Sequence, residues 1–485
     1  MAGDPAAWGE LMPTSTRPPE GTTAGLVPHD PAEAPHRRAK AGKRTRRDVP
    51  RSAHAEWSPD PGRDPIALLQ EQGVTRDQEL LPIRHQRMMV TPFTYFRGAA
   101  LPMAWDLART PTTGLTVQLC GDAHLSNFGM FGTPERHLYF DVNDFDETHP
   151  GPFEWDVKRL AASLEIAARE RDFGSGQRRA AVAASVRAYR EAMAGFATMS
   201  TMDVWYSHLD VDRLMPSFLK ALDRVKTPAV WKAIETARTH DSMHAFERLT
   251  VQGDGEPRIV RDPPLIVPLD ELVDVEREEL LDTLRKMVFA YRQTLQWDKR
   301  HLLGQYRMVD VARKVVGVGS VGTRCWIVLL LDRHSGSPLF LQVKEAQASV
   351  LEPFLRKSTF RNHGHRVVAG QRLMQAASDV FLGWQRSTLG GYELDNYVRQ
   401  LRDWKGSAEV ANMTAAGMRL YAEMCGWTLA RAHARTGDRV AIAAYLGTGD
   451  AFDRAIVTFA QVYADQNERD HEEMRRAVQD GRLVP

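Results

Sequence analysis

At 485 residues, 43% of them apolar, the chain can bury a large core and is too long for one small domain, so a two-lobed body with additions is expected. A formal net charge of +1 excludes a global field that would gather nucleic acid or an anionic membrane. The three cysteines, Cys120, Cys325 and Cys425, lie far apart without a CxxC pair, which argues against a disulfide framework or a thiolate zinc site and fits a reducing cytoplasm; no apolar run approaches the ~20 residues of a membrane helix, and no apolar h-region marks a secretory signal.

Residues 1–60 are rich in Pro, Ala, Gly and charge and read as a disordered basic tail. Within it His36–Arg51 carries eight Lys/Arg. That run is either a contact for nucleic acid or an acidic surface, or simply solvated, and the lack of interleaved aromatics favours the latter. Residues 61–300 are assigned to a large lobe with a helical insertion. Arg63–Arg109 reads as helical with a break near Thr91-Pro92. Arg97, among aromatics in Phe93–Gly98, is placed to reach a phosphate or substrate anion, or else to anchor a helix end through a carboxylate.

Leu115–Leu119 reads as a strand that ends at Gly121-Asp122-Ala123-His124-Leu125-Ser126-Asn127. Phe128–Phe131, a Gly-Thr-Pro-Glu turn and His137–Val142 read as a hairpin that delivers Asn143-Asp144-Phe145-Asp146-Glu147. Helices are expected over Trp155–Arg171 and Gln177–Met199, with Asp156 in a first turn, where a carboxylate complements the helix dipole. Lys158 and Arg159 are expected to pair with Asp156 or with the loop carboxylates. Residues 200–300 read as mostly helical around a loop at Gly253–Pro268; in Val273–Thr294 the apolar positions 273, 280, 284, 287, 288 and 291 follow helical spacing.

The two polar clusters suit phosphoryl transfer. Asp122 is a candidate acceptor for the proton of an attacking hydroxyl, with His124 beside it as a hydrogen-bonding neighbour. Asn127 and Asp144, with Asp146 as a second carboxylate, offer the hard oxygen ligands that Mg²⁺ prefers. The competing reading is that Asp, Asn and Gly merely cap strands and build turns. The ordered set Gly121-Asp122, His124, Asn127, Asp144-Phe145-Asp146, Gly151-Pro152 and Trp155-Asp156 resembles the catalytic segment of aminoglycoside phosphotransferase-like kinases. Cys120 stands where those proteins usually have His.

Residues 301–406 are assigned to a glycine-loop small lobe. Gly317-Val318-Gly319-Ser320-Val321-Gly322 matches GxGxxG, a weak signal alone. A dinucleotide-binding unit would continue into a helix; here the apolar, β-rich run Cys325–Leu331 follows, then a turn and the strand Leu339–Val343 ending in Lys344. That is the arrangement of a kinase small lobe, with Gly317, Gly319 and Gly322 approaching phosphates and Lys344 neutralising them. A surface lysine is the alternative. The expected helix His365–Ala377 offers Gln371 and Gln375 but no Glu to brace Lys344, which leaves Glu345 or, from a short helix, Glu352. Strands are expected at Asp379–Gln385 and Tyr397–Leu401, with a hinge at Arg402–Gly406. Residues 407–485 are assigned to a helical return to the large lobe: Met413–Ala434, ending Leu429-Ala430-Arg431-Ala432-His433-Ala434, and Ala451–Arg476, whose polar run Tyr463–His471 faces either the cleft or solvent. Kinases place the glycine loop before the catalytic loop; here it follows the acidic clusters, so either the loop match is a coincidence or the domain is circularly permuted, and Met413–Ala434, which resembles the helix leading into the catalytic loop of those kinases, supports permutation.

From about residue 80 to 475 the pattern resembles an uncharacterised bacterial family known as domain of unknown function 2252, through FRGAA, GDAHLSNFG, LQVKEA, GQRLMQAASDVFLGW and YADQNERDH. The expectation is an α+β, two-lobed, permuted kinase-like fold that uses ATP and Mg²⁺ to phosphorylate a small-molecule hydroxyl acceptor. A nucleotide-binding pseudokinase scaffold and an AMP transferase on the same fold are the alternatives. A metal-dependent hydrolase is more distant, because no HExxH pattern is present.

Overall fold

The computed structural model describes residues 33–484 except 214–241, 254, 273–276, 316, 390–391, 402–405 and 408. The fold is mixed α+β. Its body is helical and centres on Phe153–Glu170, in which every residue from Phe153 to Ala168 is buried. Charges on so buried a helix call for partners: Glu154, Asp156, Arg159 and Glu165 each make charge-assisted hydrogen bonds, and Lys158 donates to the Thr110 hydroxyl. Ser175–Phe196, Ala415–Thr436 and Ala451–Gln479 surround it. Ser175–Phe196 and Ala415–Thr436 approach so closely that a Cβ on Gly426 would lie 2.1 Å from the Ser185 carbonyl oxygen.

Beside this body stands a six-stranded antiparallel sheet in the order Gly383–Leu389, Tyr392–Gln400, Pro338–Glu345, Cys325–Asp332, Tyr306–Lys314, Ile266–Pro268. Leu339, Leu341, Val328 and Val311 face the helix Arg277–Gln293 through Leu284 and Tyr291. The opposite face buries Phe340, Ile327 and Leu329 against Ala245 and Leu249 of Ser242–Leu249. The sheet unit therefore starts well before residue 301, because the chain upstream supplies both its edge strand and the cover for both faces. His363–Met374 follows the Lys344 strand and packs on Gly383–Leu389 and Tyr392–Gln400. A smaller sheet holds the hairpin Phe128–Gly132 and Leu138–Val142 between Gly406–Ser407 and Leu209–Asp210. Thr116–Leu119 pairs antiparallel with His149–Pro152.

The basic tail requires a correction. Residues 1–32 lie outside the described residues, but Pro35–Asp48 is a helix docked on Arg439–Leu446. Arg38 pairs with Asp438 at the start of that helix. Arg46 and Arg51 donate to the carbonyls of Ala444, Tyr445 and Leu446 at its end, where cations satisfy orphan carbonyls and oppose the dipole. Part of the basic run is thus an intramolecular cap. The C-terminal polar run is likewise turned inward: Gln466, Asn467, Asp470 and His471 are buried, and Asp470 pairs with Arg63. Most of the expected hinge, Arg402–Lys405, lies outside the described residues, as does the start of the helix expected at Val273. No helix among the described residues is long and apolar enough to cross a membrane.

Candidate functional site

The strand Thr116–Leu119 delivers Cys120 and Gly121 to a turn that only glycine allows: φ is 84° at Gly121, and a Cβ there would meet the Glu147 carbonyl oxygen at 2.2 Å. Asp156, in the first turn of the buried helix, accepts the N–H groups of Cys120 at 2.8 Å and Gly121 at 3.1 Å. It also meets His433 Nε2 at 3.2 Å, and Tyr189 lies 2.9 Å from the other ring nitrogen. Ser163 accepts the N–H of Leu125 at 3.0 Å. The loop backbone is therefore fixed by side chains of the most buried helix in the molecule.

Asp122 projects from this loop. Its Oδ1 accepts Arg159 Nε at 2.8 Å, and Arg159 in turn lies 3.7 Å from the Phe96 ring centroid. His124 Nε2 stands 3.7 Å from Asp122 Oδ2. Burial pushes the Asp122 carboxyl upward, partly offset by Arg159 and Arg97. Burial, with Arg97 and Arg159 nearby, holds His124 neutral. Asn127 donates Nδ2 to the Asp122 backbone carbonyl at 2.8 Å, while the Asn127 backbone carbonyl accepts Asn143 N–H at 2.8 Å. That last bond ties the first polar cluster to the second.

In the second cluster, Asp144 accepts the Asp146 N–H at 3.2 Å; burial and then the adjacent Asp146 carboxylate raise its pKa. Asp146 accepts the Tyr397 hydroxyl at 2.7 Å and pairs with Lys344. Burial opposes ionisation of Asp146, but Lys344 outweighs it and holds the carboxyl below its ordinary range. The same pairing raises the Lys344 ammonium despite burial. Glu147 accepts the Val350 N–H at 2.7 Å, and burial pushes it up to about 7.

The glycine loop reaches the same place from the sheet. Ser320 lies 3.4 Å from Asp146 Oδ2. Buried arginines hold the loop's carbonyls: Arg84 takes Gly319 at 2.9 Å, and Arg76 takes Gly319 at 3.0 Å and Val321 at 2.5 Å. Gly319, Ser320, Arg97, Asp122, Asp144 and Asp146 line a cavity of about 30 Å³. It adjoins a cleft of about 1550 Å³, with Ser320, Asp146 and Glu147 on the wall of both.

Of the residues singled out in the sequence, Asp122, Asp144, Asp146 and Gly319 line one cavity, Lys344 contacts it through Asp146, Asn127 holds the Asp122 backbone, and His124 stands beside the Asp122 carboxylate. Gly317 opens the 3₁₀ turn Val318–Ser320, and Gly322, at φ 89°, packs on Arg76. Glu352 needs correction. It accepts the Ser358 N–H at 3.2 Å and lines the large cleft; the ion pair of Lys344 is with Asp146. Glu345 is engaged by Arg324, and Gln371 bonds Gln375. Among the described residues no group of three or more His, Cys, Asp or Glu could hold a metal ion. Tyr397, Arg76 and Arg84 escaped the sequence reading. Tyr397 is the register partner of Lys344 on the adjacent strand, a relation legible only once the strands are paired.

No curated protein and no solved structure matches the chain. A family model does, over residues 76–477, the span that carries both polar clusters, the glycine loop and Lys344. The chain belongs to the family described as "Uncharacterized protein conserved in bacteria (DUF2252)".

Proposed function

We propose that this chain is an ATP- and Mg²⁺-dependent phosphotransferase with a permuted kinase-like arrangement, acting on a hydroxyl acceptor. The observation that carries the reading is the Lys344–Asp146 contact. A buried lysine on the third strand of a glycine-loop sheet meets the acidic cluster about two hundred residues before it in sequence, and that cluster lines a cavity together with Asp122. A glycine-rich loop, a lysine on the strand after the hairpin and a following helix are the parts with which kinases cover and neutralise phosphates. What favours catalysis over a nucleotide-binding scaffold is that Lys344 has a carboxylate partner and Asp122 opens on the cavity.

The donor set fits Mg²⁺. Asp144 makes no ion pair among the described residues, and Asn127 commits only its amide nitrogen. Mg²⁺ keeps waters and substrate phosphate oxygens, so one or two protein oxygens suffice. Bound by Asp144 and Asn127, it would neutralise charge on the phosphates. Asp122 has one oxygen pinned by Arg159 and the other directed past neutral His124, and that oxygen receives the proton of the acceptor hydroxyl. Its upward shift makes it a better base than an ordinary carboxylate. By analogy with the phosphotransferases it resembles, the acceptor is a small molecule.

Calorimetry with ATP and Mg²⁺ on the wild type, Asp144→Ala and Lys344→Ala tests this reading. Micromolar binding is expected, weakened at least ~10-fold, about 1.4 kcal/mol, in both variants, with ADP and not AMP as the released nucleotide. A wild type that binds no ATP would sink the proposal.

A further inference from the structure

One charged group in the cavity is unused by the scheme above. Arg97 lies on Pro92–Gly98, outside the strands and loops that carry the kinase-like motifs. That helix is fastened on several sides. Thr91 and Thr94 form a reciprocal cap at its start, and Asn467 donates to the Pro92 carbonyl at 2.9 Å. Arg159, the partner of Asp122, donates to the Phe96 carbonyl at 2.7 Å. Arg84, which holds the glycine loop, donates to the Gly98 carbonyl at 2.9 Å. The loop rests on the helix as well: a Cβ on Gly319 would lie 3.2 Å from the Arg97 carbonyl oxygen. The helix is thus referenced both to the candidate base and to the phosphate-covering loop.

The Arg97 side chain enters the cavity shared by Asp122, Asp144 and Asp146. Its Nε is buried without a hydrogen-bond partner, and its guanidinium makes no ion pair or hydrogen bond among the described residues. The residue is half-buried, and arginine cannot shed its proton, so the buried Nε edge remains a donor in want of an acceptor. The neighbouring arginines differ in this respect: Arg76, Arg84 and Arg159 all donate to the protein. The charges that act most on Arg97 are Asp122 and Asp144, the residues given above to the acceptor proton and to Mg²⁺. The phosphorus travels between those two roles.

We propose that Arg97 is the ligand of the phosphoryl group in flight, its planar fork taking the non-bridging oxygens as charge redistributes over them. The inference rests on the phosphotransferase reading. In the step it assists, the acceptor oxygen bonds to the γ-phosphorus and the bridging P–O bond breaks, its electron pair leaving on ADP. The hydroxyl proton passes to Asp122.

The full-length wild type, Arg97→Gln and Arg97→Lys are titrated with ADP·Mg²⁺, with and without aluminium fluoride as the planar phosphoryl mimic. In the wild type the mimic tightens ADP binding ~100-fold or more. Arg97→Gln keeps the ADP affinity within about twofold and loses that increment; Arg97→Lys, which retains charge and stem but not the fork, loses most of it. ADP binding by the Gln variant also shows that it is folded. Should it not bind, the Lys variant carries the comparison. A full increment in either variant overturns the assignment, and so does ADP binding without an increment in the wild type. A wild type that binds no nucleotide overturns the phosphotransferase reading and the Arg97 role together.

Discussion

Asp141, buried at the end of the strand Leu138–Val142, and Asp144, half-buried three residues on, are built differently. Asp141 is saturated. Both of its oxygens meet Arg431, at 2.5 and 2.6 Å, and the N–H groups of Val142 and Ala376 complete it, each at 2.9 Å. Asp144 receives one backbone N–H and faces a second carboxylate. The two acids carry the same charge and differ in how much hydrogen-bonding capacity they have left, which is what the proposed role of Asp144 requires. Among the cations, Arg431 has an ion pair with Asp141, whereas Arg97 makes none among the described residues.

The pair can be broken from either side, and the saturated member gives the largest effect. Asp141→Ala strands Arg431 in the core and is expected to cost ~3–5 kcal/mol of unfolding free energy. Asp144→Asn removes a charge that burial and Asp146 already disfavour, so its denaturation midpoint holds or rises while Mg²⁺-dependent nucleotide binding disappears. Urea unfolding of both variants beside nucleotide calorimetry makes the comparison. Equal destabilisation by the two would mean that saturation does not distinguish them.

A smaller effect is expected where the two clusters touch. Gly121→Ala forces a side chain into a positive-φ position against the Glu147 carbonyl. That substitution is expected to cost about 2 kcal/mol in stability and to displace Asp122, which lowers turnover more than nucleotide affinity. A loss confined to affinity would show that this turn shapes the nucleotide site instead of the base.

How much of this was visible in the sequence depends on the range of each contact. The helix expected at Trp155–Arg171 is Phe153–Glu170, and that expected at Ala451–Arg476 is Ala451–Gln479, because helical periodicity is local. The hairpin and the loop carrying Asp122 were legible for the same reason. The strand expected at Asp379–Gln385 is displaced to Gly383–Leu389, and its partner begins at Tyr392, upstream of the apolar run. Asp395 and Asn396 look like loop residues, but Asp395 accepts from Asn362 and Arg386, and Asn396 donates to Ser387. The basic helix at Pro35–Asp48 looked solvated because its partner lies about four hundred residues away. The same limit hid Asp146 as the companion of Lys344. The adjacent motif offers Asp146 as a metal ligand, and its contact with Lys344 is not visible from that motif.

Lys158 offers the smallest effect and the sharpest test of whether an incompletely paired buried charge must have a ligand. Its ammonium donates to Thr110 Oγ1 at 3.0 Å and sits 4.8 Å from the Phe459 ring centroid, while nearby Glu154 is taken up by Thr113. Burial, partly offset by Glu154, pushes its pKa down to about 8. Lysine, unlike arginine, can relieve its burial by losing a proton. Below pH 8 the ammonium is charged in both states and the folded state bears the desolvation cost. As pH rises from 8 toward the unfolded value near 10.4, the unfolded chain holds a proton that the folded chain has released, so stability increases with pH. Lys158→Met removes that titration. The stability of the wild type relative to Lys158→Met should therefore rise by about 1–2 kcal/mol between pH 7.5 and 9.5, as measured by urea unfolding at each pH. A flat difference would place a full counter-charge beside Lys158 and make it a saturated group. A rise would mark it as a buried cation that needs no ligand because it can become neutral, an option that Arg97 lacks.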